Sequence, residues 1–395
     1  MKRLYSLDAL RGVAALSVVL WHWQHFFAIS GTWQAGWQRT QEPFYQALRP
    51  FYDAGPAAVD LFFALSGFVF FWLYADAIAA KRVGATKFAN LRISRLYPLH
   101  FAMLLAVAAM QFFFFRATGK YFIYDANDWQ HFLSSLVMAQ QWLPPTIVQS
   151  FDGPTWSVSV EALLYIVFFA VMVSGSDRIR TPIYLVLLGV LVFFLFNEMI
   201  GRGLIGFFVG GLLYELSERI KKRGDARRIA LWSAALAGLA WLVVVGDIYL
   251  GPLETAYDRL TGFLPQNFAL LYKLERPNVL LLLFILTASP LTILALALHE
   301  QVLGGRYQRV SFLGDISYSS YLLHFPMQLA LALLALRFGW HPQVFMNGWA
   351  LITFYAVLIA LSAASYHLFE RPLQSLIRGA RLPALAQPKK MPAGD

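Results

Sequence analysis

Ten apolar segments of membrane-spanning length follow one another along this 395-residue chain, roughly at 11–29, 57–75, 96–115, 155–173, 181–197, 203–216, 229–246, 279–298, 313–336 and 347–368. No soluble core shelters that much contiguous apolar chain, and hydrocarbon admits only backbone whose N–H and C=O groups bond internally. The expected fold class is therefore all-α, a polytopic transmembrane helical bundle of about ten spans. A composition of 58% hydrophobic and 14% charged residues excludes an ordinary soluble enzyme. The fifth and sixth spans are the shortest, with only Asn197 to Arg202 between them.

Basic residues set the orientation. With the N-terminus in the cytoplasm, most of the 32 Lys and Arg residues fall on cytoplasmic segments, most densely in SERIKKRGDARR at 217–228. The positive-inside rule then places both termini in the cytoplasm. Topology thus accounts for the net charge of +10, and no nucleic-acid partner is needed. With no cysteine in the chain, disulfides, thiolate metal sites and Cys nucleophiles drop out. Residues 1–30 share a basic start and small residues near Ala28 to Gly31 with signal peptides, but the apolar run is long and carries His22 and His25, which favours a retained span. One domain is expected over 1–380, followed by a disordered cytoplasmic tail at 381–395 containing Pro383, Pro388 and Pro392. The loops at 30–56, 116–154 and 247–278 fall outside and are rich in aromatic residues; interfacial anchoring explains most of these, leaving a minority to line a polysaccharide or lipid site. The stretch DWQHFLSSLVMAQQW, 128–142, has helical periodicity and is expected on the outer surface.

Ionisable groups inside spans are costly and usually functional. Arg11 and His22 are eleven residues apart in the first span, which is three turns plus about 20°, so they share a stripe, with a rise of about 16 Å. The arginine lies near one surface and the imidazole near the midplane. Asp60 opens the second span, followed by FFALSG; it either snorkels to water, orients a histidine or binds a polar substrate, while Gly67 suits close helix packing. Arg92 and Arg95 in RISR share a helix face at the cytoplasmic surface, where they either anchor the topology or bind phosphate oxygens of a cytoplasmic ligand. Glu161 enters the fourth span about 8 Å below the outer surface and needs a partner, either an imidazole or a neighbouring helix. GDISYSSYLLHFP, 314–326, concentrates Asp315, Ser317, Tyr318, Ser319, Ser320, Tyr321 and His324, so that helix lines the bundle interior or a wet cavity. His324 reaches a depth similar to that of His22, about 16 Å from the inner surface.

Taken in order, Arg11-x10-His22, FFALSG at 62–67, RISR at 92–95, TWSVSVE at 155–161, GDISYSSYLLH at 314–324 and FERP at 369–372 resemble the integral-membrane acyltransferase 3 family, in its stand-alone form without a fused esterase domain. The resemblance implies an O-acyltransferase of a bacterial inner membrane that moves an acyl group, commonly acetyl from acetyl-CoA, onto a hydroxyl of an extracytoplasmic glycan or glycolipid. The co-substrate implied is cytoplasmic acyl-CoA, with no metal or haem. The partners implied are the bilayer and the glycan acceptor, with an oligomer permitted.

As one device, Arg92 and Arg95 would hold the CoA phosphates and Arg11 would guide the entering arm. His22 would deprotonate the acceptor, oriented by Glu161 or by Asp60. Tyr318, His324 or Ser66 would donate to the oxyanion. An acyl-histidine intermediate is the variant of this scheme. FERP is expected to end the last helix, with Glu370 and Arg371 paired to one another. Two other classes use the same polar groups. A glycan transporter or flippase would consume no acyl-CoA, and a haem protein would use His22 and His324 as axial ligands. The absence of an internal repeat weighs against a transporter built from inverted halves.

Overall fold

The computed structural model describes residues 3–144, 146–261 and 276–379. Among them, eight helical stretches are long and apolar enough to cross a membrane: Ala57–Ala79, Ala85–Thr118, Gly153–Val173, Glu198–Lys221, Ala226–Leu250, Pro277–Val302, Ser317–Phe338 and Gly348–Ile377. The principal helices are α1 (Tyr5–Trp21), α2 (Ala57–Phe70), α3 (Ala85–Thr118), α4 (Trp156–Val173), α5 (Arg180–Leu195), α6 (Glu198–Lys221), α7 (Ala226–Leu250), α8 (Arg276–Leu286), α9 (Ala288–Val302), α10 (Ser317–Phe338), α11 (Gly348–Ser365) and α12 (Arg371–Ile377).

Two of the ten expected spans, the first and the fifth, are too short to stand among these eight, and the sixth has different bounds. The fifth is α5, only 16 residues and about 24 Å long, short of a 30 Å hydrocarbon core. The sixth is correspondingly longer than its apolar pattern. Asn197 caps α6 by accepting from Ile200 N at 3.1 Å, and the helix runs on through 24 residues. The first span begins as α1 and then tightens at His22 into a 3-10 helix, His22–Ala28. That change of winding falls on the histidine singled out above.

Close helix approach organises the centre. A Cβ on Gly67 would lie 1.8 Å from Phe207 O, and one on Gly210 would lie 1.9 Å from Ala64 O, so α2 and α6 meet backbone to backbone. By contrast, α7 leaves Trp232, Leu239 and Leu242 exposed, the surface of a helix clothed by lipid tails.

The segment between α3 and α4 does not stay on the surface. Gln111 bonds Phe122 in both directions at 3.0 and 2.9 Å, the His100 ring donates from Nε2 to Ser135 O at 2.7 Å, and Trp142 Nε1 donates to Ser159 O at 2.9 Å. This segment therefore folds back into the bundle. Within 128–142 only Trp129–Leu136 is helical, started by Asp128, which accepts from Gln130 N and His131 N. Those donors hold the Asp128 carboxyl below its usual range. His131 and Ser135 are buried while Trp129, Leu133 and Val137 are exposed, so this short helix lays one face on the bundle and turns the other outward.

FERP also acts differently from its expected role as a terminator. α11 passes through a π turn, Tyr366–Glu370, into α12, and Pro372 follows that turn within one continuous helical stretch, Gly348–Ile377, rather than ending it. Arg3 reaches Asp315 at 2.7 Å, and Arg378 reaches Ser94 Oγ at 2.8 Å, so both described chain ends lie at the RISR end of the bundle. The tail expected at 381–395 lies outside the described residues.

Candidate active site

A cavity of about 230 Å³ opens among α1, α2, α3, α4, α10 and α12. Four guanidinium groups line it, from Arg11, Arg92, Arg95 and Arg378, against the single carboxylate of Glu161. Such a surplus of positive charge around a small cavity favours an anionic occupant.

Each arginine is held by its neighbours. Arg92 donates to Tyr74 OH at 2.6 Å and lies 4.9 Å from the Phe70 ring centroid and 4.8 Å from that of Tyr74. Arg95, one turn on, lies 5.7 Å over Tyr318 and 3.9 Å from Glu370. Arg378 braces the same turn, donating to Ser94 Oγ at 2.8 Å and Leu91 O at 3.3 Å. Arg11 bonds Asp8 at 3.2 Å. Glu370 accepts from Ser319, not from Arg371, and so belongs to the network around Arg95.

Glu161 accepts hydrogen bonds on one oxygen from Ser66 Oγ and from Tyr165 OH, each at 2.7 Å. Its hydrogen-bond partners among the described residues include no imidazole. Asp60 is likewise committed elsewhere. Arg202 grips it with Nε and Nη2 at 3.0 and 2.8 Å, donates to Pro56 O at 3.2 Å, and stacks 5.1 Å from the Trp156 ring. Neither carboxylate orients a histidine. Asp60 instead ties α2 to α6, because a buried guanidinium and a buried carboxylate each need the other.

His22 is positioned by other groups. Its Nδ1 lies 3.0 Å from Val18 O and 3.2 Å from His324 Nε2. A carbonyl only accepts, so His22 Nδ1 carries the proton and shares it between the two. The same argument applies to His324, whose Nδ1 lies 2.5 Å from Tyr321 O and therefore donates, leaving Nε2 to accept from His22. His25 donates to Gln328 Oε1 at 3.0 Å, and Gln328 Nε2 donates to His22 O at 2.9 Å. His22 Nε2 is left as a lone-pair nitrogen. Direct contact between the two rings leaves no room for a porphyrin, so they do not act as paired axial ligands.

The three expected oxyanion donors are also occupied. Ser66 donates to Glu161, Tyr318 OH to Leu96 O at 2.6 Å, and His324 Nδ1–H to Tyr321 O. Of the sequence-based candidates, the structure gathers Arg11, Ser66, Arg92, Arg95, Glu161 and Tyr318 around the cavity. His22 and His324 lie beyond it, across Tyr321, whose ring borders both the cavity and His324, 5.8 Å away. The sequence alone does not point to Arg202, Arg378 or Gln328, and it points to Tyr165 only through the i+4 spacing from Glu161. Among the described residues no group of three or more His, Asp or Glu side chains gathers to hold a metal ion.

A membrane-spanning helical bundle with an anion-receptive cavity backing onto buried imidazoles is the class of protein that the fold and site define. Residues 4–367 match the Acyltransferase domain family, acyltransferase 3, and the chain belongs to that family of membrane enzymes. It is 34% identical over 169 residues to the acyltransferase MdmB of Streptomyces mycarofaciens, covering 42% of this chain and 38% of that protein. It is 35% identical over 108 residues to protein 2 in the picA locus of Rhizobium radiobacter, covering 27% of this chain and 46% of that protein. The chain thus spans less than half the length of either relative. No solved structure matches it.

Proposed function

We propose that this chain is an O-acyltransferase of a bacterial inner membrane, carrying an acetyl group from cytoplasmic acetyl-CoA to a hydroxyl of an extracytoplasmic glycan or glycolipid. The observation that carries the reading is the position of the arginine-lined cavity directly behind the Tyr321 and His324 wall of the histidine pair. Arg92, Arg95 and Arg378 take the CoA phosphates from the cytoplasmic end, and Arg11 faces the pantetheine arm. With both termini cytoplasmic, as the basic loops favour, the thioester arrives near the midplane.

His22 Nε2 accepts the proton of the acceptor hydroxyl as its oxygen attacks the thioester carbonyl. The C–S bond breaks, an ester forms, and the CoA thiolate takes the proton back from the imidazolium. His324 and Val18 O supply the orientation that a carboxylate supplies in other imidazole bases, while Glu161 shapes the cavity through Ser66 and Tyr165.

Labelled acetyl-CoA given to membranes containing the protein tests this directly. Label is expected on envelope glycan, His22→Ala should lower transfer by roughly 10²- to 10⁴-fold, and Arg92→Ala should raise the donor KM. A wild-type protein that consumes no acetyl-CoA would favour transport and overturn the proposal. Undiminished transfer by His22→Ala would sink the assigned base.

A further inference from the structure

The turn leading into α4 carries a carboxylate that the steps above leave unused. Asp152 is 3% exposed, and neither of its side-chain oxygens has a hydrogen-bond partner. Burial without a partner holds its carboxyl well above the usual range, a penalty on the charged form that hydrogen bonds donated by a ligand would relieve. The carbonyls of this turn, by contrast, are tied down. Thr155 Oγ1 and Thr155 N donate to Asp152 O at 2.6 and 2.9 Å, Gln140 Nε2 donates to Thr155 O at 3.1 Å, and Tyr321 OH donates to Pro154 O at 2.6 Å. A buried polar side chain on so rigid a frame has no local route to a partner, which makes it a candidate ligand contact.

Its position fits one ligand in particular. Tyr124 packs against the next residue, Gly153, where a Cβ would fall 2.3 Å from the ring, and the same ring lies 6.0 Å from that of His25. Asp152 interacts electrostatically with both Tyr124 and Tyr321. It therefore lies near two tyrosines whose rings reach His25 and His324, and it is not among the residues lining the arginine-rich cavity. Gln140 Oε1 and Gln141 Oε1, earlier in the same loop, are buried acceptors also without partners. A set composed of acceptors is matched by a ligand that brings several donors, and neighbouring hydroxyls on a sugar ring span the two oxygens of a carboxylate.

We propose that Asp152 is an acceptor-binding residue whose carboxylate oxygens take hydrogen bonds from hydroxyls of a glycan, holding a neighbouring hydroxyl toward His22. This rests on the acyl-transfer reading, and names the group that recognises the acceptor. It also assigns the acceptor to the His22 side of Tyr321 and the phosphates of the donor to the arginine side.

The test uses purified protein in proteoliposomes, acetyl-CoA as donor, and envelope polysaccharide stripped of its esters by mild alkali as acceptor. Asp152→Asn, of nearly the same shape, is expected to raise the acceptor KM at least tenfold and leave the donor KM within twofold. Asp152→Ala serves the same comparison should the amide variant fold poorly. An acceptor KM within twofold of wild type in the folded variants, or a donor KM that rises equally, would overturn the assignment while leaving the acyl-transfer reading intact. No transfer by the wild type would overturn that reading, and this site with it.

Discussion

His22 keeps its proton on Nδ1 because Val18 O can only accept, and His324 is fixed in the complementary state by Tyr321 O. In the proposed reaction His22 is the oriented base and His324, whose Nε2 accepts at 3.2 Å, its positioning residue. If that hydrogen bond sets the ring of His22, then its removal should cost transfer rate and spare donor binding. His324→Phe is expected to lower kcat by about 10²-fold, the cost of misplacing a reacting group by about an ångström, with the donor KM unchanged. His324→Gln offers an amide oxygen as acceptor and should recover a substantial part of that loss. Equal losses in the two variants, measured under saturating donor, would reduce His324 to a packing residue.

Helix contacts decide which polar residues meet. The α2–α6 approach at Gly67 and Gly210 brings Arg202 onto Asp60 and leaves Ser66, further along α2, directed at Glu161. Arg202→Ala would strand a buried carboxylate, at a cost of roughly 3–5 kcal/mol. Its thermal transition in detergent is expected to fall well below that of wild type, whereas Asp60→Asn combined with Arg202→Gln should recover most of the difference. If the double variant is no more stable than the single one, the ion pair is not what joins these helices. At this scale the sequence was uneven as a guide. Depth arithmetic placed His22 and His324 at similar levels, and the structure has them in contact. Spacing put Arg92 and Arg95 on one face, and both line the cavity. Partners were less legible. Arg202 read as a loop residue between two short spans, since nothing local shows that Asn197 starts a full-length helix. Arg39 gave no signal either, although it donates to Trp21 O at 2.7 Å and so caps α1 just where His22 turns into the 3-10 helix. Both depend on which helix or loop comes alongside, and a single chain's periodicity does not encode that.

For the whole molecule, the two half-sites require a membrane of known sidedness. In the proposed scheme the arginines at one end take phosphate, and the loop carrying Asp152 folds in from the end of α3 that lies away from Arg92 and Arg95. The scheme works only if the arginine end faces cytoplasmic CoA. Because the chain has no cysteine, one introduced thiol reports one location without background. Trp33, 52% exposed in the loop after the first span, and Arg223, with a 61% exposed side chain between α6 and α7, lie on opposite sides in the proposed topology. In intact spheroplasts a membrane-impermeant maleimide is expected to label Trp33→Cys, and to label Arg223→Cys only after lysis. The opposite pattern would put the guanidinium cluster outside, away from any CoA pool, and the donor route through Arg92, Arg95 and Arg378 would have to be abandoned even with His22 retained as the base.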